Sequence, residues 1–176
     1  RRASRILGEE LCFGAHNGDD GLIETIIKMR RTLSEAELNE MRSTAKVTEA
    51  AHRAAMAATR PGAHERDVAA AFESVVARAG LTTAYPSIVT VRGEILHNFH
   101  HINPLEDGQL MLLDGGAEAS TGYATDVTRT WPVSGRFTPR QEAAYAAVLQ
   151  SQLDAIDLVR PGVRYRRVHD KASLVL

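Results

Sequence analysis

A single cysteine in 176 residues, Cys12, excludes an internal disulfide and suits a chain that works in a reducing cytoplasm. No apolar run approaches the ~18 residues needed to cross a bilayer, and Arg1-Arg2-Ala3-Ser4 lacks the apolar core of a signal peptide. Neither sign of charge dominates. The 21 Lys and Arg oppose 22 Asp and Glu, so no overall field points to nucleic acid or a membrane surface as a partner. Low-complexity segments and short-period repeats are missing too. With 44% hydrophobic residues, the chain has the length and composition of one soluble globular domain with a sizeable core. It does not begin with Met, and residues before Arg1 are expected.

Helical patterns frame the chain. Ser34-Glu35-Ala36-Glu37 has the form of a capping box, in which hydroxyl and carboxylate each satisfy an orphan backbone donor. Leu38, Met41, Ala45, Thr48, Ala51 and Ala55 follow at helical spacing until Arg60-Pro61-Gly62 stops the helix. A second helix, from about His64 to Ala79, presents Val68, Phe72, Val75 and Val76 on one face, with Gly80 as its C-cap. Thr138-Pro139-Arg140-Gln141 opens a third with an N-cap, a first-turn proline and a second capping box, and it runs to about Val159. Arg164 to Leu176 opens another amphipathic helix with no Gly, Asn or Pro to close it, so the chain is expected to continue beyond Leu176. Arg164, Arg166 and Arg167 lack interleaved aromatics and read as a solvated helix face, not a nucleic-acid site. Leu11-Cys12-Phe13 is a short apolar run, and His16 to Gly21 is turn-rich.

Between the helices, Pro86 to Val91 reads as a strand, and two aspartates bracket a hairpin. Asp114 follows the apolar run Gln109 to Leu113. Asp126 opens the alternating run Asp126-Val127-Thr128-Arg129-Thr130-Trp131. A turn centred near Ser120 places Asp114 directly opposite Asp126, with Cβ atoms roughly 5 Å apart. Like charges so placed repel unless they share a proton or jointly hold a cation. Two such carboxylates are hard ligands suited to Mg²⁺, Mn²⁺ or a pair of divalent ions. The plain alternative is a hairpin with one Asp in an Asp-Gly turn and the other as a polar strand end. Thr128 shares the face of Asp126 and is placed to support a ligand shell. Arg129 points away and reads as a structural ion-pair partner.

Several segments together resemble the aminopeptidase P and prolidase group, dinuclear metallopeptidases with the pita-bread fold. They are Asp114-Gly115-Gly116-Ala117-Glu118, the run from Gly122 through Asp126 to Phe137, Gln141 with Tyr145 and Val148-Leu149, Gly93-Glu94-Ile95-Leu96-His97, and Val159-Arg160-Pro161-Gly162. The likeness covers roughly residues 25 to 176. Many members have one residue fewer between the two aspartates, so this turn is longer by one. The resemblance implies an α+β fold, the amino-terminal half of a pita-bread catalytic domain whose curved antiparallel sheet is covered by helices. Residues 1–24 would be the remnant of an amino-terminal domain or a linker, or a loosely packed tail.

The same resemblance implies that Asp114 chelates one divalent ion and Asp126 bridges two, with Mn²⁺ expected first and Co²⁺ or Zn²⁺ as alternatives. One His and two Glu ligands would lie beyond Leu176. His97, seventeen residues before Asp114, stands where these peptidases keep a histidine that binds substrate or assists proton movement. His100 and His101 read as surface or rim residues, His52, His64 and His169 as polar-face or cap residues, and His16 carries no signal. The implied activity of the complete protein, expected to be a homodimer, is hydrolysis of the bond between an N-terminal residue and a following proline. Its substrate is a peptide with proline second. A dipeptide-only prolidase, a metal-free binding or chaperone module and a creatinase-like hydrolase working through histidine are the alternatives. Residues 1–176 alone are expected to associate and to be inactive, with an apolar sheet face and an edge strand uncovered.

Overall fold

The computed structural model describes residues 20–176. The Leu11 to Phe13 run, Cys12 and His16 lie outside them. Residues up to Glu40 and residues from Met41 onward make two compact units. In the first, α1 (Asp20–Arg30) exposes Leu22, Ile23, Ile26, Ile27 and Met29. The end of the turn-rich segment therefore begins a helix, and α1 is continuous across residues 24 and 25. α2 (Glu35–Ala58) starts in this unit with the expected capping box. The Ser34 N–H donates to Glu37 Oε2 at 2.6 Å and the Glu37 N–H to Ser34 Oγ at 3.4 Å.

The larger unit carries the rest of α2, α3 (Glu65–Arg78), β1 (Thr82–Thr83), β2 (Ile88–Thr90), β3 (Leu110–Gly115), β4 (Ala117–Glu118), β5 (Val127–Pro132), α4 (Pro139–Leu158) and α5 (Tyr165–Ser173). β3 is the centre of an antiparallel three-stranded sheet in the order β2-β3-β5. Its alternation decides the two faces. Met111 and Leu113 are buried against helices, while Leu112 and Asp114 point the other way. The core joins Ala51 and Ala55 of α2, Val68, Phe72 and Val76 of α3, and Val89, Met111 and Leu113 of the sheet. On α2 the buried stripe is Thr44, Thr48, Ala51, His52 and Ala55, so Thr44 takes the inward place that spacing assigned to Ala45. Small side chains there let the helix lie close to the strands.

At Gly116 the chain changes ladders. β3 pairs with β2 and β5, and one residue later β4 pairs with β1, Thr83 opposite Ala117. The Thr125 carbonyl fills the space beside Gly116, where a Cβ would stand 1.7 Å from that oxygen. Glycine is required here by close backbone approach, not by an unusual φ.

α3 starts where expected, with His64 as N-cap and its N–H donating to Asp67 Oδ2 at 2.8 Å. It ends with Gly80 at φ 74, the left-handed conformation that glycine adopts without cost. Its first residue, Glu65, is fully buried. Glu65 Oε1 accepts from the Val91 N–H at 2.8 Å and from Asn103 Nδ2 at 2.9 Å. Its Oε2 accepts from the Asn103 N–H and Nδ2, both at 3.0 Å. Burial alone raises this carboxyl's pKa. The hydrogen bonds from Asn103, Val91 and Thr90 outweigh it and hold the group below the usual carboxylate range.

α4 opens with the second expected box. Gln141 Oε1 accepts from the Thr138 N–H at 2.9 Å, and Gln141 Nε2 donates to the Gly108 carbonyl at 2.8 Å, tying the helix to the turn before β3. α5 docks on α4 through Ser151 Oγ, which donates to the Ala172 carbonyl at 2.9 Å, and Lys171–Asp154 at 2.8 Å. Arg164, Arg166 and Arg167 are exposed on α5, as a solvated face requires. None of the helices among the described residues is long and apolar enough to cross a membrane.

Two measurements test this packing. Phe72 has no solvent exposure, and Phe72→Ala should cost about 3–5 kcal/mol in denaturant unfolding; a loss under about 1 kcal/mol would show that the site is not core. Glu65 has a folded pKa below its ordinary 4.5, so its ionisation stabilises the fold above that value and the benefit fades as pH falls through the folded pKa. The stability gap between the parent and Glu65→Gln should therefore narrow between about pH 7 and about pH 3. A gap independent of pH would mean that the buried carboxyl is not ionised.

Candidate metal centre

Asp114 is the fifth residue of β3, on the face turned away from the helical core. Its ladder neighbours are Ile88 on β2 and Thr128 on β5. The hairpin is thus symmetric about Thr121, not Ser120. Glu118 bridges Ala124, and the Ala119 N–H donates to the Tyr123 carbonyl. The turn closes at Gly122, which takes φ 84, and each strand is displaced by one position from the register about Ser120. Asp126 therefore does not face Asp114 directly. It stands one residue before β5, two before Thr128 and on the same side.

The two carboxylates nevertheless converge. The Tyr85 hydroxyl lies 2.6 Å from Asp114 Oδ1 and 2.8 Å from Asp126 Oδ1, so those oxygens are no farther apart than the two distances laid end to end. One hydroxyl has one proton, which the two acceptors compete for. Burial, these two hydrogen bonds and the two negative charges push the Tyr85 phenol far above its usual pKa, so it stays a neutral donor. Thr128, placed to support the ligands, makes no hydrogen bond to either aspartate among the described residues; Tyr85, from the β1–β2 connection, does so instead. Arg129 forms no ion pair among the described residues and donates to the Thr128 carbonyl at 2.7 Å.

α2 holds the backbone on both sides of Asp126. Thr48 Oγ1 lies 2.6 Å from Thr125 Oγ1 and accepts from the Ala117 N–H at 3.1 Å. His52 Nδ1 lies 3.0 Å from the Thr48 carbonyl and Nε2 3.0 Å from the Val127 carbonyl, with its ring edge-on to Phe72 at 5.2 Å. His52 is not a polar-face residue but a buried strut. The Thr44, Thr48, Ala51, His52, Ala55 stripe carried that signal, since a histidine in line with inward-facing positions must find partners.

His97 is not drawn into this cluster. It sits exposed in the β2–β3 connection at φ 59, its ring stacked on Phe99 with centroids 6.2 Å apart, and no hydrogen bond joins it to either aspartate. His100 is exposed, whereas His101 is partly buried with Nε2 3.0 Å from the Ser87 carbonyl.

Asp114 and Asp126 fit a divalent cation. They are hard oxygen donors brought together with no cationic side chain beside them among the described residues. They do not complete its shell, for no third His, Cys, Asp or Glu joins them among those residues. Tyr85→Phe should weaken Mn²⁺ binding by the full-length protein about 10–100-fold in calorimetry, as losing a ligand-orienting partner does. Unchanged affinity would remove Tyr85 from the ligand shell.

Comparison with known proteins places the chain in a family. Residues 39–176 match the description Metallopeptidase family M24. The chain is 36% identical over 152 residues to human Xaa-Pro aminopeptidase 3, covering 85% of this chain and 30% of that relative, so it spans about a third of the relative's length. The structure of Pseudomonas aeruginosa aminopeptidase PepP superposes with TM-score 0.84 at 33% identity, covering 99% of this chain and 39% of that one. Zinc-substituted Escherichia coli aminopeptidase P in complex with product gives 0.80 at 34% identity, covering 84% and 34%. The α+β fold is thus the amino-terminal half of the pita-bread domain, and the chain belongs to metallopeptidase family M24.

Proposed function

We propose that the complete protein is a metal-dependent Xaa-Pro aminopeptidase, releasing the N-terminal residue of peptides whose second residue is proline. The observation that carries this is the convergence of Asp114 and Asp126 on the Tyr85 hydroxyl, in a chain whose relatives are named for that activity. No observation favours the dipeptide-only or metal-free alternatives. Two divalent ions are proposed, Mn²⁺ first, and Asp114 and Asp126 would hold them. When bound, they supply positive charge that polarises a scissile carbonyl and activates water.

This chain's residues then have separate tasks. Asp114 and Asp126 hold charge at fixed positions, Tyr85 orients their oxygens, and Thr48 with His52 keeps the backbone around Asp126 still. His97 presents an imidazole to the substrate carbonyl, where a hydrogen bond stabilises developing negative charge. Residues from 25 onward supply the first half of the catalytic domain, a reading that the family match supports over residues 39–176. A dimer of the complete protein remains part of the proposal.

In the full-length protein, Asp126→Asn should lower metal content and Xaa-Pro cleavage together, since a neutral amide is a weaker ligand for a hard cation than a carboxylate. A variant with normal metal content and normal cleavage would take Asp126 out of the site. His97→Ala should reduce kcat by about 10²-fold with metal content unchanged. Loss of metal from that variant would instead make His97 a ligand.

A further inference from the structure

The β2–β3 connection that carries His97 has little to hold its tip. Ile95, Leu96, Phe99 and Ile102 are all exposed, so apolar packing does not fix it. Two of its residues nonetheless hold left-handed backbone, His97 at φ 59 and His101 at φ 46. For side chains other than glycine such conformations cost of order 1–3 kcal/mol and persist only where the surroundings impose them. The imposing contacts lie at the neck of the loop.

Val91 and Asn103 are the two sides of that neck, and His97 stands midway between them in sequence. One carboxylate, Glu65, accepts from the Val91 N–H and from both the N–H and the side-chain amide of Asn103. The Glu65 N–H in turn donates to the Asn103 carbonyl at 3.0 Å. Behind it, Leu105 exchanges hydrogen bonds with the Gly62–Ala63 turn, the Gly62 N–H donating to the Leu105 carbonyl at 2.9 Å and the Leu105 N–H to Ala63 at 2.8 Å. Further in, Asn98 Nδ2 donates to Thr90 Oγ1 at 3.2 Å, and His101 reaches the Ser87 carbonyl. Glu65 has no cationic partner among the described residues, so its charge is balanced by N–H groups of the loop and by the amino end of α3, where it sits.

We infer that Glu65 is a positioning residue for His97: by binding both sides of the loop neck to the start of α3, it sets where the imidazole is presented. The inference rests on the proposed role of His97 toward substrate. Glu65 touches neither substrate nor metal ligand and acts only through the loop.

The test uses the full-length protein. Glu65→Gln keeps the shape but replaces an acceptor oxygen with a donor that faces the loop's own N–H groups. Amide exchange across residues 91–103 should quicken about tenfold while residues 44–55 of α2 keep their protection. The accompanying loss in kcat on a Xaa-Pro peptide should shrink to within about twofold when the change is made in a His97→Ala background. Exchange that is unchanged, or that rises throughout the protein, overturns the inference, as does an equal kcat loss in both backgrounds. If Glu65→Gln does not fold, Asn103→Ala removes the side-chain tether while leaving the carboxylate, and the same two readouts decide. Because exchange does not depend on turnover, selective loosening in a protein that fails to cleave Xaa-Pro peptides would uphold the clamp and reject the peptidase reading instead.

Discussion

The contact between Gly116 and the Thr125 carbonyl governs the geometry of the aspartate site. Two backbone segments meet there more closely than any side chain permits, and Asp126 follows the pinch directly while Asp114 precedes it by two residues. Around it, the Thr48 and Thr125 hydroxyls share the Ala117 N–H, and His52 reaches the Val127 carbonyl two residues on. Without the pinch, β3 could not pass from the three-stranded ladder to the pairing with β1, and the strand carrying Asp114 would not turn its face toward Asp126.

Bringing two carboxylates together costs energy, and the structure meets that cost in two ways. A neutral phenol donates between them, its own ionisation suppressed by burial and by the charges it touches. The backbone is then fixed by α2, so repulsion cannot be relieved by strand movement. The two carboxylates are thus held together before any ligand arrives, which is the sense in which the pair is preorganised. Glu65 shows a different solution to buried negative charge, with a fan of N–H donors and no cationic partner among the described residues.

Much of this was legible in the chain, and what was not has a physical reason. The capping boxes at Ser34 and Thr138, the Gly80 stop and the inward face of α3 follow from interactions within a few residues, and all appear in the structure. The aspartates' common face followed from strand alternation. Their register did not, because it depends on which turn residue adopts positive φ, and Gly122 places the centre one residue later than even spacing suggests. Tyr85 was missed because its partners lie 29 and 41 residues away and nothing local marks it. The helical pattern reads His52 as a polar-face or cap residue, although its place in the α2 stripe argues for burial.

The struts between α2 and the hairpin join residues 77 and 75 positions apart. Closing loops of that length carries an entropic cost that is recovered only when many contacts form together. The aspartate pair is therefore not a local hairpin motif that exists ahead of the fold. Until β5 has been made and laid against α2, the nascent chain carries two ordinary acidic residues without their paired geometry. Assembly of the paired carboxylates is for that reason coupled to completion of the unit and not to synthesis of the two aspartates themselves.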